Sequence, residues 1–202
     1  MKENKYDDNI FFQKYSQMSR SQQGLAGAGE WETLRKLLPD FKDKRVLDLG
    51  CGYGWHCIYA MEHGASSVVG VDISHKMLEV AKEKTHFPQV EYKCCAIEDV
   101  EFPEESFDVI LSSLAFHYVA DYEILVKKIY RILKSGGKLV FTVEHPVFTA
   151  YGTQDWYYNE KGEILHFPVD NYYYEGKRTA VFLGEKVTKY HRTLTTYLNT
   201  LL

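Results

Sequence analysis

No stretch of the chain approaches the roughly eighteen consecutive apolar residues of a membrane-spanning helix, so an α-helical membrane protein is not expected. The N-terminus, Met-Lys-Glu-Asn-Lys-Tyr-Asp-Asp, lacks the apolar h-region of a secretory signal, and the expected location is the cytoplasm. Cysteine is sparse: Cys51, Cys57, Cys94 and Cys95 show no paired metal-ligand spacing and sit in apolar strand or helix contexts. Free thiols in a reducing compartment fit that pattern, and no metal is implied. Positive charge is also in short supply. Lys and Arg number 24 against 28 Asp and Glu, a formal net charge of -4, which offers no basic field for a phosphate backbone. A nucleic-acid partner is thereby disfavoured and a small-molecule partner expected. With 202 residues, 45% of them hydrophobic, there is enough chain for one full core and too little for two.

Through the middle of the chain apolar runs alternate with helical segments: strand Arg45 to Asp48, helix Trp55 to about His63, strand Ser67 to Asp72, helix His75 to Lys84, strand Val90 to Cys94. The pattern continues with strand Phe107 to Ser112, helix Tyr122 to Leu133 stopping at Ser135-Gly136-Gly137, and strand Lys138 to Glu144. Repeated units of this kind predict an α/β fold with a Rossmann-like, doubly wound, mostly parallel sheet. Upstream, Leu25, Ala28, Trp31, Leu34, Leu37 and Leu38 fall at helical spacing and stop at Pro39, which predicts an amphipathic helix over 24–38. Residues 147–186 are rich in Tyr, Trp, Gly and Pro without a long periodic run. From Val187 a helical pattern resumes and continues to Leu202.

The first strand carries Asp48 into three glycines at alternate positions, Gly50, Gly52 and Gly54, around Cys51. Glycines so spaced let the backbone turn with φ > 0 and let a ligand approach main-chain N–H groups closely. Such a loop at the carboxyl edge of a parallel sheet is a place for a nucleotide-like cofactor. The dinucleotide fingerprint requires a third glycine where this chain has Trp55, and no Gly-Lys-Ser/Thr of a phosphate-binding loop comes after Gly54. Asp72, ending the second strand, is placed to accept both ribose hydroxyls of an adenosine-type ligand, with Ser74 as the cap of the next helix.

These segments, in this order, resemble the class I S-adenosylmethionine-dependent methyltransferases, closest to the broad bacterial type 11 group that includes the ubiquinone and menaquinone methyltransferases. The resemblance implies S-adenosylmethionine as cofactor, S-adenosylhomocysteine as product and methyl transfer to a small-molecule acceptor. It maps the adenine surroundings onto Ile73, Met77 and the segment from Cys95 to Pro103, where the Ile97 backbone, with Glu98 or Asp99 as acceptor, is the candidate because Ala96 stands where many relatives carry Asp. Ser112, Ser113 and Leu114 should line the cofactor, and Tyr15 and Arg20 should cover its methionine end. His117 and His145 fall at the carboxyl edge, where a base would be useful. Trp156, Tyr157, Tyr158, Tyr172, Tyr173 and Tyr174 are expected to wall the acceptor, with Tyr190, His191 and Arg192 beginning the last helix beside it. One domain over 1–202 is expected, with an N-terminal cap and helix (1–40), a cofactor-binding core (41–146), an aromatic insertion or lid (147–186) and a last helix (187–202). The resembling fold continues with two further strands that this sequence does not contain. A non-catalytic cofactor-binding protein is the alternative from another class, and an NAD-dependent or nucleotide-sugar oxidoreductase fits the glycine spacing poorly.

Overall fold

Five apolar segments pair edge to edge to form the centre of the molecule. The computed structural model describes residues 4–202, so Met1 to Glu3 of the N-terminal stretch lie outside the described residues. The strands are β1 (Arg45–Leu49), β2 (Ser67–Asp72), β3 (Val90–Cys94), β4 (Phe107–Ser113) and β5 (Leu133–Thr142), all parallel, in the order β3-β2-β1-β4-β5. Side chains alternate between two cores. Val46, Val68, Val109 and Leu111 point to one face with Cys57, Ala60 and Leu78, while Leu47, Val69, Val71 and Ile110 point to the other with Leu125, Ile129 and Ile132. Apolar side chains on both faces demand a cover on each, which makes the sheet doubly wound.

The helices supply those covers. After α1 (Asn9–Ser16), α2 (Ser19–Gln22) and α3 (Trp31–Leu34) come α4 (Trp55–Glu62), α5 (His75–Lys84) and α6 (Tyr122–Ile132). Ser74 caps α5 by accepting from Met77 N at 3.1 Å, and Asp121 caps α6 by accepting from Ile124 N at 2.9 Å. The helix expected over 24–38 is not continuous. A 3-10 turn at Gly24–Gly27 and the single turn of α3 replace it, because Gly24 takes φ +63 and the glycines at 27 and 29 disfavour helix up to the start of α3. The Ser135-Gly136-Gly137 stop lies inside β5, where the register with β4 shifts between Phe107 and Val109.

The C-terminal part differs most from expectation. Beyond α7 (Pro146–Ala150) a short hairpin pairs β6 (Tyr157–Tyr158) with β7 (Ile164–His166), and a second pairs β8 (Gly176–Phe182) with β9 (Glu185–His191). The last helix therefore does not begin at Val187: α8 spans Leu194–Asn199 only. The second hairpin packs Ala180 and Val187 on Phe11 of α1, and Lys14 Nζ donates to Leu183 O at 2.9 Å. At the other end of this cover, Asp7 accepts from Ser74 Oγ at 2.6 Å and Lys76 N at 3.1 Å, tying the N-terminal segment to α5. Among the described residues no helix is long and apolar enough to cross a membrane.

Candidate functional site

The carboxyl edge of the sheet, the N-terminal segment and the β8–β9 hairpin enclose one cavity of about 740 Å³. Its first half is made by the loop after β1 and the ends of β2 and β4. Gly50 and Gly52, both at positive φ, border it with Asp72, Ile73, Met77, Ile97, Glu98, Ser113 and Leu114. Asp72 is fixed from behind: Oδ2 accepts from Gly52 N and Oδ1 from Ser74 N, each at 2.9 Å. A Cβ added at Gly52 would meet nothing within 4 Å and would point into open space. Tyr15, Met18 and Arg20 close this half from above, and the Arg20 guanidinium pairs with Glu30, which also accepts from Ser113 Oγ at 3.0 Å. The second half is bordered by Tyr6, His117, Tyr118, Glu144, Phe182, Val187 and Tyr190.

A family model described as a methyltransferase domain matches residues 47–141. A crystal structure described as an S-adenosylmethionine-dependent methyltransferase from Listeria monocytogenes is 58% identical, with a TM-score of 0.82 over 86% of this chain and 81% of that one. The chain belongs to the S-adenosylmethionine-dependent methyltransferases. A second crystal structure from that family, from Mesorhizobium loti, is 42% identical with a TM-score of 0.81 over 88% of this chain and 81% of its own. The ubiquinone biosynthesis O-methyltransferase of Coxiella burnetii is 36% identical over 54% of this chain and 47% of its own.

S-adenosylmethionine is the cofactor of this methyltransferase, and the first half of the cavity fits it. The bare Cα of Gly52 leaves room for close approach, and each Asp72 oxygen retains a lone pair beside its backbone donor. Ile73, Met77 and Ile97 present apolar surface for a base, and the Arg20–Glu30 pair offers opposite charges to an amino-acid end. Burial pushes the Asp72 carboxyl above its ordinary range, against the pull of the Ser74 and Gly52 N–H groups.

Several expected residues lie off the cavity. Ser112 is buried and donates to Leu49 O at 2.7 Å, Gly54 caps α4 behind the loop, and Cys51 borders an adjoining cleft of about 60 Å³ that shares Gly50, Gly52 and Ser113 with the cavity. Asp48 is 1% exposed beneath the loop, where Oδ2 accepts from Cys57 Sγ at 3.5 Å and Oδ1 has no hydrogen-bond partner among the described residues. Burial raises the Asp48 carboxyl to about 7. A carboxyl bound more tightly by its proton in the folded state than in the unfolded chain costs stability above pH 7, and the cost fades as pH falls toward 4. Asp48→Asn is therefore expected to melt a few degrees higher than wild type at pH 8, with the gain gone by pH 4. Thermal melts across that range measure it.

Of the two histidines, only His117 borders the cavity. His145 is exposed, and its Nδ1 accepts from Val147 N at 3.2 Å as the cap of α7. Burial drives His117 down to about 4, so the ring is neutral at physiological pH. The aromatic wall is also displaced. Trp156, Tyr157, Tyr158, Tyr173 and Tyr174 are exposed and do not border the cavity, nor does Tyr172. Tyr190 does, whereas His191 is buried between Thr149 Oγ1, which donates to Nδ1, and Tyr172 O, which accepts from Nε2, both at 2.8 Å. Arg192 is spent on the carbonyls of Val119 and Ala120. Glu144 and Glu30 border the cavity, and Lys189 and Gln154 hold Glu144 from outside it, without matching any sequence expectation of a site role. Only Glu144 carries a signal in the sequence, standing directly before His145 at the end of the fifth strand.

Proposed function

We propose that the enzyme transfers a methyl group to a small-molecule acceptor held in the half of the cavity beyond the cofactor. The observation that carries this reading is continuity: one cleft runs from the glycine loop and Asp72 to His117 and Glu144. An acceptor of modest size fits such a space, and the net charge of -4 disfavours a phosphate backbone. The alternative of a non-catalytic binding protein would suit a second half filled by core side chains, and that half is open instead.

Bound here, S-adenosylmethionine supplies an electrophilic methyl on a sulfonium. The chain's part is placement and exclusion of water, and placement alone is worth on the order of 7 kcal/mol or more. In this reading Asp72 accepts from the ribose hydroxyls, the Gly50 to Gly52 backbone lies along the sugar and methionine chain, and Ile73, Met77, Ile97 and Glu98 surround the adenine. Arg20 takes the carboxylate and Glu30 the ammonium at the far end. Tyr6, Tyr15 and Met18, held down through Asp7 and Ser74, keep water out.

Titration calorimetry with S-adenosylmethionine and S-adenosylhomocysteine, with NAD as control, tests the placement. Asp72→Ala is expected to weaken both adenosyl ligands about tenfold to a hundredfold, the worth of two charge-assisted hydrogen bonds. Unchanged affinity in a folded variant sinks the assignment. For the acceptor, release of S-adenosylhomocysteine with a small-molecule extract is the expected result, and release only with RNA or protein sinks the small-molecule reading.

A further inference from the structure

Glu144 is held more firmly than a carboxylate at a cavity wall requires. It leaves the end of β5 with its side chain 20% exposed, and each oxygen is pinned: Lys189 Nζ donates to Oε1 at 2.5 Å and Gln154 Nε2 to Oε2 at 2.8 Å. Lys189 is 2% exposed and also donates to Gln154 Oε1 at 2.8 Å, which closes a three-membered ring. Gln154 sits at φ +59, a conformation costing about 1 kcal/mol for a residue with a side chain, held by the bonds of its amide. Pinning leaves a lone pair on each Glu144 oxygen for a ligand. Burial opposes ionisation of this carboxyl, yet the His117 ring where it is charged, the Lys189 cation and the two donors outweigh it and keep it below the ordinary glutamate range.

His117 completes the arrangement. Glu144 N approaches the ring's Nδ1 at 3.5 Å, the outer limit of a hydrogen bond, which favours the neutral tautomer with its proton on Nε2, and Nε2 makes no hydrogen bond within the described residues. The ring thus offers the cavity a donor and no free basic nitrogen. A carboxylate, phenolate or thiolate held against Glu144 would face its charge, and such an anion would seek Lys5 or Lys177, which also border the cavity, instead. An alcohol must shed its proton as it reacts, and the acid at this wall, Glu144, is poised low by its donors.

We propose that Glu144 binds and orients the methyl acceptor, and that the acceptor is an amine whose N–H donates to the Glu144 carboxylate while its lone pair faces the methyl donor. This rests on the small-molecule reading of the cavity given above. The N–C bond forms as the S–C bond breaks, the positive charge passes from sulfur to nitrogen, and one N–H proton then leaves to solvent. Glu144 stands where that ammonium develops.

The test titrates the S-adenosylhomocysteine complex, in which no turnover occurs, with benzylamine, benzyl alcohol, benzyl mercaptan and benzoate. Benzylamine, which at neutral pH docks as its ammonium and would give up a proton to solvent before its lone pair could be methylated, is expected to bind at least about tenfold more tightly than the others, because it alone brings a positive charge to the Glu144 carboxylate. Glu144→Gln should erase that preference while leaving S-adenosylhomocysteine affinity unchanged, which reports that the variant is folded. Gln154→Ala, which removes one pin from outside the cavity, should reduce the preference about threefold. Absence of amine binding, a tighter alcohol, thiol or acid, or a preference intact in Glu144→Gln overturns the proposal. If methyl transfer is then found to an alcohol, thiol or acid, the small-molecule reading stands without it. Transfer only to RNA or protein removes both.

Discussion

Gly50→Ala is expected to lower the melting temperature by about 10 °C, whereas Gly52→Ala, two residues away, should cost only a few degrees and instead abolish most cofactor binding. Both glycines have positive φ, at +79 and +52, so each alanine carries a strain of about 1–2 kcal/mol. What separates them is where the new methyl goes. At Gly50 it would lie 2.5 Å from the Cβ of Ala115, an atom fixed to the backbone that cannot swing aside. Overpacking of that kind adds about 1–3 kcal/mol, and a total near 3 kcal/mol corresponds to about 10 °C in a domain of this size. At Gly52 the methyl meets no protein atom within 4 Å and takes up cavity space beside Asp72. Differential scanning calorimetry and cofactor titration on the two variants resolve the pair. If Gly52→Ala binds S-adenosylmethionine normally, the cofactor does not approach the loop there.

Much of this arrangement is readable from the residues because the relevant physics is local. β2, α5 and β3 begin and end where the apolar runs and the Ser74 cap place them. The β8–β9 hairpin escapes such a reading for an equally local reason. The side of β9 that is buried presents Val187, Lys189 and His191, so the strand hides a cation and an imidazole where an alternating pattern would show apolar residues. Its turn gives no help either: Leu183 and Gly184 both take positive φ, at +54 and +77, and leucine at the first position is no hairpin signal. His145 attracts attention ahead of Glu144 on chemistry alone. Pro146 at the first position of α7 makes His145 the cap, and a proline there marks the residue before it as occupied by the helix start.

The aromatic segment shows composition misleading in another way. The large side chains crowded into 147–174 suggest a wall around the acceptor, yet β6 and β7 are two and three residues long and expose every residue. Strands that short cannot reach across the cavity mouth, so the wall is supplied by Phe182, Val187 and Tyr190 of the longer hairpin. Its contacts with α1 place it there, and such contacts between segments far apart in the chain leave no trace in local periodicity.

Lys189→Met is expected to destabilise the protein by about 3 kcal/mol, and the loss should depend on pH in a way that identifies its cause. Removing one partner of a buried pair typically costs about 3–5 kcal/mol because the other charge is left behind, and the partial exposure of Glu144 to the cavity puts this case at the low end. In wild type the Glu144 carboxyl is held below its unfolded value, so its stabilisation is present above the ordinary glutamate range and disappears as pH falls through the folded pKa. Without Lys189, burial acts on Glu144 with less opposition and its pKa rises. The sign then reverses: the ionised carboxylate costs stability at high pH, and protonation relieves it as pH falls. The gap between variant and wild type should therefore be widest at pH 8 and narrow toward pH 4. His117 adds to the same trend, because Lys189 is one of the charges that, after burial, keep that ring neutral. Glu144→Gln combined with Lys189→Met should recover most of the loss, since no charge is then left buried. Denaturant melts of both single variants and the double variant at pH 8 and pH 5 complete the cycle. Losses that add, or that do not change with pH, would mean that Lys189 supports β9 by packing its stem on Phe182 and not by neutralising the acid at the cavity wall.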